Sequence, residues 1–190
     1  MARKIMNRCS WANPKNSLYL KYPDEEWGVP EHRDSVLFEM LILEGFQAGL
    51  SWECVLNKRA AFREAFDNFD AEKISEYDEE KISELMQNPS IIRNRLKIKA
   101  AITNAKIFLA IQKEFGSFDA YLWSFTSGQI IYEPWDLRTT SPLSDEICAS
   151  LKKRGMKFVG STVIYSYLQA IGIINGHLPT CDCYYKSARS

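Results

Sequence analysis

Three groups of residues in this 190-residue sequence have types and spacings that could do chemistry. The first is aromatic. Trp11, Tyr19, Tyr22 and Trp27 fall within seventeen residues, and Trp52 follows in the run Gln47-Ala48-Gly49-Leu50-Ser51-Trp52. Any one of these rings packs a core equally well, but together they suit a pocket that stacks on a flat ring. Glu44 lies beside them at the end of an apolar stretch that includes Val36, Leu37, Phe38, Met40, Leu41, Ile42 and Leu43. A carboxylate there is expected to be at least partly buried, so it needs hydrogen bonds or a charged partner. Two readings stand level. Glu44 accepts backbone N–H bonds from the Gly45 to Gly49 turn, or it reads the amino edge of a ligand and compensates a positive charge on it.

The second group is Cys9, His177 and Cys181. The spacing of His177 and Cys181 is acceptable for zinc ligands, with Cys9 arriving from the far end of the chain. Spacing alone does not favour this over reduced, unliganded thiols. The third group is basic. Residues 91–113 hold Arg93, Arg95, Lys97, Lys99, Lys106 and Lys113 and no acid, while residues 66–86 hold eight acids against Lys73 and Lys81. A second basic cluster is Lys152, Lys153, Arg154 and Lys157. On charge alone these are solvated helix faces. Here, though, the first run follows a short helix and a Pro89-Ser90 break, and helix, tight turn, basic helix aims backbone N–H groups at a phosphate.

The composition narrows the field. Lys+Arg and Asp+Glu are both 24, which excludes a wholesale polycation but not a local basic face. With only His32 and His177, a catalytic zinc held by three imidazoles is excluded. The five cysteines form an odd set in an ordinary globular composition, which argues for a reducing compartment rather than a disulfide framework. No targeting segment or apolar membrane span is visible, so a cytoplasmic protein is expected. Phosphate-binding glycine loops and nucleophile motifs are absent.

The elements that must position these residues are helices. Asp34 is expected to cap a central helix running to Glu44 and Gly45, and Ser51 a second helix with Trp52, Val55, Leu56, Phe62 and Phe66 on its apolar side. Asp78 opens a short helix, and a longer one after Pro89-Ser90 carries Ile98, Ile102, Ala105 and Leu109. Ser144 is expected to cap a helix ending near Arg154-Gly155, and Ser161 to Ile174 reads as the last helix. Residues 11–27 show little helical pattern, residues 126–143 read as loop, and no alternating strands stand out.

The sequence resembles the DNA-3-methyladenine glycosylase I family of constitutive bacterial alkylation-repair enzymes. The matching stretches are Arg8-Cys9-Ser10-Trp11, Tyr22 to Pro30, Leu43 to Trp52, Ile91 to Ile98, Leu151 to Gly160, and Gln169-Ala170-x-Gly172 with His177 and Cys181. They cover nearly the whole chain. The resemblance implies one all-α helix-hairpin-helix glycosylase domain over residues 1–190. The two terminal segments would form one lobe, the central helices with the hairpin the other, and a base pocket would lie between them. It implies hydrolysis of the N-glycosidic bond of 3-methyladenine in double-stranded DNA by a monofunctional, monomeric enzyme that needs no cofactor for its chemistry. Trp11, Tyr19, Tyr22, Trp27 and Trp52 would line the pocket, and Glu44 would be the catalytic-site carboxylate that contacts the base. Gly49 and Leu50 would enter the DNA where the base has left. Arg93, Arg95 and Lys97, beside a hairpin around Asn88 to Asn94, would hold phosphates. A non-catalytic helical module that binds damaged DNA is the alternative, and an enzyme for another modified base a third.

Two departures stand out. The family's zinc site adds a His where this chain has Pro23, leaving Cys9, His177 and Cys181 of four ligands. A site completed by water or Cys183 competes with loss of zinc and termini held by packing, and the sequence leans toward loss. Ser90 stands where the family often has Gly, which is expected to alter the hairpin turn if that position needs positive φ.

Overall fold

In the computed structural model, the described residues are 7–9, 15–133 and 138–184. Among them the chain forms helices α1 (Ser17–Glu25), α2 (Asp34–Gln47), α3 (Trp52–Ala65), α4 (Ala71–Ser75), α5 (Glu79–Gln87), α6 (Arg95–Phe115), α7 (Phe118–Ser124), α8 (Pro142–Lys153) and α9 (Ser161–Ala170). Two strands of two residues, β1 (Ile131–Tyr132) and β2 (Ile174–Asn175), pair in parallel. The fold is all-α in substance.

Helix α2 is the axis. Leu37, Phe38, Met40, Leu41, Ile42, Leu43 and Phe46 are all buried, and α2 packs on α3, α6, α7 and α9. A helix apolar nearly all round has no face to give to water. One continuous buried cluster extends from Tyr22 to Ile174, and a small second one joins Cys9, Cys181 and Cys183.

Several caps differ from the sequence reading. Asp34 is the first residue of α2, not its cap. Its carboxylate accepts from the backbone N–H of Phe118 (2.8 Å) and Asp119 (2.9 Å) and from Gln112 Nε2 (2.6 Å), so it supplements the Ser117 cap of α7. Ser141, not Ser144, caps α8, with Ser144 as its reciprocal partner and Pro142 in the first turn. Ser51, Asp78 and Asn94 each accept from the backbone N–H three residues on, opening α3, α5 and α6. The last helix stops at Ala170 rather than Ile174. Gly172 follows at φ +74°, and a Cβ there would lie 2.2 Å from the backbone of Val29. The chain then enters β2, whose partner β1 lies in the stretch expected to be loop. Residues 17–25, expected to be irregular, are helical. Asn16 Oδ1 accepts the Tyr19 N–H (3.2 Å), and Pro23 interrupts the pattern without breaking the helix.

The α5–α6 hairpin turn is held locally. Asn88 Oδ1 accepts the Ser90 N–H (2.9 Å), and Lys58 of α3 reaches the Ser90 carbonyl (3.0 Å). Ser90 is not among the residues with positive φ. Serine therefore fits this turn without strain, and the alteration expected from the missing glycine does not arise.

Candidate active site

Helices α1, α2, α3 and α9 surround a cavity of about 320 Å³ lined by Tyr19, Tyr22, Trp27, Glu44, Gln47, Trp52, Ser166 and Gln169. Tyr19 and Tyr22 come from α1, one turn apart, and Trp52 is the first residue of α3. The Tyr22 and Trp52 rings pack at 5.2 Å and 46°. Trp27 stands edge-on to His177, with ring centroids 4.6 Å apart. Gly176 makes this arrangement possible, since a Cβ there would approach Gln169 Nε2 to 2.7 Å and Trp27 to 2.8 Å.

The polar chemistry of the cavity is unusual because it is incomplete. Glu44 is 3% exposed, and its Oε2 has no hydrogen-bond partner among the described residues. Trp52 Nε1 and Gln169 Nε2, two donors, are also buried without a partner. Most buried polar groups in proteins are satisfied, so three orphans on one cavity wall mark a place built for something else. Burial raises the Glu44 carboxyl to about pH 8. The same burial, with the charge of Glu44 adding to it, pushes the Tyr22 hydroxyl well above its ordinary value. Among the described residues, the Gly45 to Gly49 turn donates no backbone bond to Glu44, so of the two readings left level by the sequence the structural one is not met.

Residues 48–51 connect α2 to α3, between the lining residues Gln47 and Trp52. Gly49 adopts φ +86° with open space around it, and Leu50 is 42% exposed. The basic segment approaches from α6. Arg93 is exposed, whereas Arg95 and Lys99 both pair with Glu79 of α5. Acidic and basic segments thus neutralise one another in part across the hairpin.

On the far side of Trp27, Cys9 Sγ and Cys181 Sγ each lie 3.5 Å from His177 Nδ1, and all three side chains are buried. His177 Nε2 lies 2.9 Å from the Trp27 carbonyl, which orients the ring with Nδ1 toward the sulfurs. Residues 7–9 meet the segment 177–183 here. The Asn7 N–H donates to Asp182 Oδ2 (3.0 Å), the Asp182 N–H donates to the Asn7 carbonyl (2.9 Å), and Arg8 forms a forked pair with Asp24.

A family model described as methyladenine glycosylase matches residues 11–185. The chain belongs to this family. It is 43% identical over 183 residues to DNA-3-methyladenine glycosylase 1 of Escherichia coli (strain K12), covering 94% of this chain and 97% of that one. A solved 3-methyladenine DNA glycosylase I superposes with a TM-score of 0.88 at 46% identity, covering 93% of this chain and 98% of the other. The structure that describes 3-methyladenine recognition by the Staphylococcus aureus enzyme has a TM-score of 0.88 at 34% identity, covering 93% and 96%.

Within this methyladenine glycosylase fold, Tyr19, Tyr22, Trp27, Trp52 and Glu44 come together on one cavity, and Gly49 and Leu50 lie in the turn between two of its lining residues, Gln47 and Trp52. Trp11 lies outside the described residues. Lys97 departs from the phosphate role expected of it. It is buried, and its ammonium donates to the carbonyls of Phe46 (2.8 Å) and Ala48 (2.6 Å). Gln47, Ser166 and Gln169 were not singled out from the sequence. The signal for Gln169 is a single amide near the end of the apolar run of α9, the same kind of signal that identified Glu44 in α2.

Proposed function

We propose that this protein is a monofunctional DNA glycosylase that releases 3-methyladenine from alkylated double-stranded DNA. It works as a monomer in the cytoplasm, by flipping the damaged base into the aromatic cavity. The observation that carries the reading is the orphaned, buried Glu44 carboxyl on a wall of tyrosines and tryptophans.

Methylation at N3 makes the adenine ring cationic. Its bond to C1′ is then weak, and the leaving group needs no protonation. Water forms a bond to C1′ as the C1′–N bond breaks. The bonding electron pair goes to the base and neutralises its charge, and the proton of water passes to solvent. Electron-rich ring faces favour a cation over neutral adenine. Glu44 adds a carboxylate that a cation holds in its ionised form, and its oxygen suits an exocyclic amino group. The Trp52 and Gln169 donors suit ring nitrogens. Extrusion costs stacking energy, which Leu50 entering the vacated space and phosphate contacts at the hairpin offset. Glu44 serves recognition and electrostatics. No residue is assigned to water activation.

The deciding experiment is release of free 3-methyladenine from methylated duplex DNA by excess protein. No release above the spontaneous rate refutes the reading. Binding to an abasic duplex without release supports a non-catalytic damage-binding module instead.

A structural zinc on Cys9, His177 and Cys181 is part of this proposal. Bonds of about 2.3 Å to sulfur and about 2.0–2.1 Å to nitrogen in a tetrahedron set sulfur–nitrogen edges of roughly 3.6 Å. The two 3.5 Å separations fit that edge, and the Trp27 carbonyl supplies the outer contact a ligating histidine needs. Zinc there joins the two chain ends and takes no part in hydrolysis. Pro23 contributes no ligand, so the fourth position falls to another donor. Elemental analysis of protein purified without added metal checks this. A near-stoichiometric content that disappears in His177→Ala is expected, and metal-free wild type refutes it.

A further inference from the structure

Lys97 is the third residue of α6, in the middle of the basic run, yet it is only 8% exposed. Its ammonium crosses to the end of α2 and donates to the carbonyls of Phe46 and Ala48. These are among the carbonyls that a helix C-terminus leaves without intrahelical partners, and a cation there is favoured by the helix dipole. The residues that follow directly are Gly49 and Leu50. Gly49 has open space around it and φ +86°, and the Gln47 carbonyl and the Leu50 N–H close the turn at 2.7 Å. Among the described residues, only this bond and a long contact from Gln47 Nε2 to the Leu50 carbonyl (3.4 Å) hold the turn itself.

The other end of Lys97 is equally well anchored. Its backbone N–H donates to Asn94 Oδ1 (3.1 Å), the last residue of the hairpin turn. The ammonium also lies 5.8 Å from the Phe158 ring centre. Phe158 is held at φ +54° next to Lys157, whose backbone N–H and carbonyl are both bonded by the buried Asn104 of α6. One residue therefore ties together the hairpin exit, through its backbone, and the end of α2 and the loop between α8 and α9, through its side chain.

We propose that Lys97 is a positioning residue, which locks the Gly49–Leu50 turn to the hairpin so that Leu50 enters the DNA in register with the phosphates, and that its ammonium itself contacts no phosphate. This rests on the proposed glycosylase reading. Basic residues that do contact phosphate release counterions, so their removal lowers the salt dependence of binding by about one unit of slope each. Lys97 does not.

The test uses the whole protein and Lys97→Met, which keeps the length of the side chain and removes the ammonium, with Arg93→Ala as the comparison. Three quantities are measured: the slope of log binding constant against log salt on an abasic duplex, single-turnover release of 3-methyladenine from DNA, and binding of free 3-methyladenine by tryptophan fluorescence. For Lys97→Met the expected results are an unchanged salt slope, free-base binding within about twofold of wild type, and release slower by at least about tenfold. Lys97→Arg, which keeps charge and donors, is expected to recover most of the rate. A slope lower by about one for Lys97→Met makes Lys97 a phosphate contact and overturns the proposal. Free-base binding weakened in step with release makes it a general prop and also overturns it, as does release at the wild-type rate. Should Lys97→Met fail to fold, Lys97→Gln is taken through the same measurements and judged by the same outcomes. Absence of release by wild type is a different failure, that of the glycosylase reading.

Discussion

Helix α2 carries two buried glutamates, and they live in opposite surroundings. Glu39 is 6% exposed and Glu44 3%. Glu39 Oε1 accepts from Arg59 Nε (2.6 Å) and Arg63 Nε (2.8 Å), and its Oε2 from Arg63 Nη2 (3.0 Å). Arg59 in turn reaches Glu26 of the segment after α1. This cluster is closed, with every charge answered within the protein. Among the described residues, Glu44 has no cation beside it, and its Oε2 has no partner. The same residue type on the same helix is a structural brace at one position and an unfilled demand at the other. Burial of a polar group marks a site only when its bonds are missing, and that is the distinction the two glutamates draw.

Substitutions at the two positions are expected to act with opposite sign. Glu39→Ala leaves Arg59 buried beside a single acid and is expected to lower stability by about 4 kcal/mol, measured by urea unfolding. Protein that remains folded should still release base. Glu44→Gln is expected to stabilise. A carboxyl raised to about 8 in the folded state contributes stability that is full below its unfolded value and is lost as pH rises toward 8. The variant should therefore gain on wild type across the range from about pH 4.5 to 8, by on the order of 3 kcal/mol at neutral pH, and hold that gain above it. A pH series of thermal unfolding checks both the sign and the window. Equal curves for the two proteins would show that Glu44 has a partner in solution.

A smaller effect is expected where an orphaned donor is removed. Gln169→Leu takes away the unpaired Nε2, so it should weaken binding of free 3-methyladenine roughly tenfold while leaving stability unchanged or raised by about 1 kcal/mol. Smallest in consequence for the cavity is Asp34→Ala. It removes the acceptor of the first two N–H groups of α7, away from the cavity wall, while Ser117 still caps the helix, and is expected to cost about 1–2 kcal/mol with base binding unaltered.

Much of the cavity was legible in the sequence because its residues break local pattern. Glu44 interrupts an apolar helix, and the tyrosines and tryptophans cluster beside it. What stayed hidden depends on contacts distant in sequence. Asp34 looks like a cap for the helix it begins, but its bonds go to the start of α7, 84 and 85 residues on. Lys97 has the composition of a phosphate ligand, and only the meeting of α6 with the end of α2 turns its ammonium inward. Helix α1 was obscured by Pro23, whose rigid ring is tolerated in this helix. Strands of two residues such as β1 and β2 are too short to impose any alternation. At the terminal cluster, the ligand missing at Pro23 is visible in sequence, whereas the convergence of Cys9, His177 and Cys181 is not.

The central claim is that Glu44 is kept unpaired, at a cost in stability, to receive a cationic base. Single-turnover release of 3-methyladenine and thermal unfolding, measured on the same preparations of wild type and Glu44→Gln at neutral pH, test it most directly. The expected result is a variant that unfolds at higher temperature and releases base about 100-fold more slowly. A variant that is less stable than wild type and releases base at the same rate would contradict it.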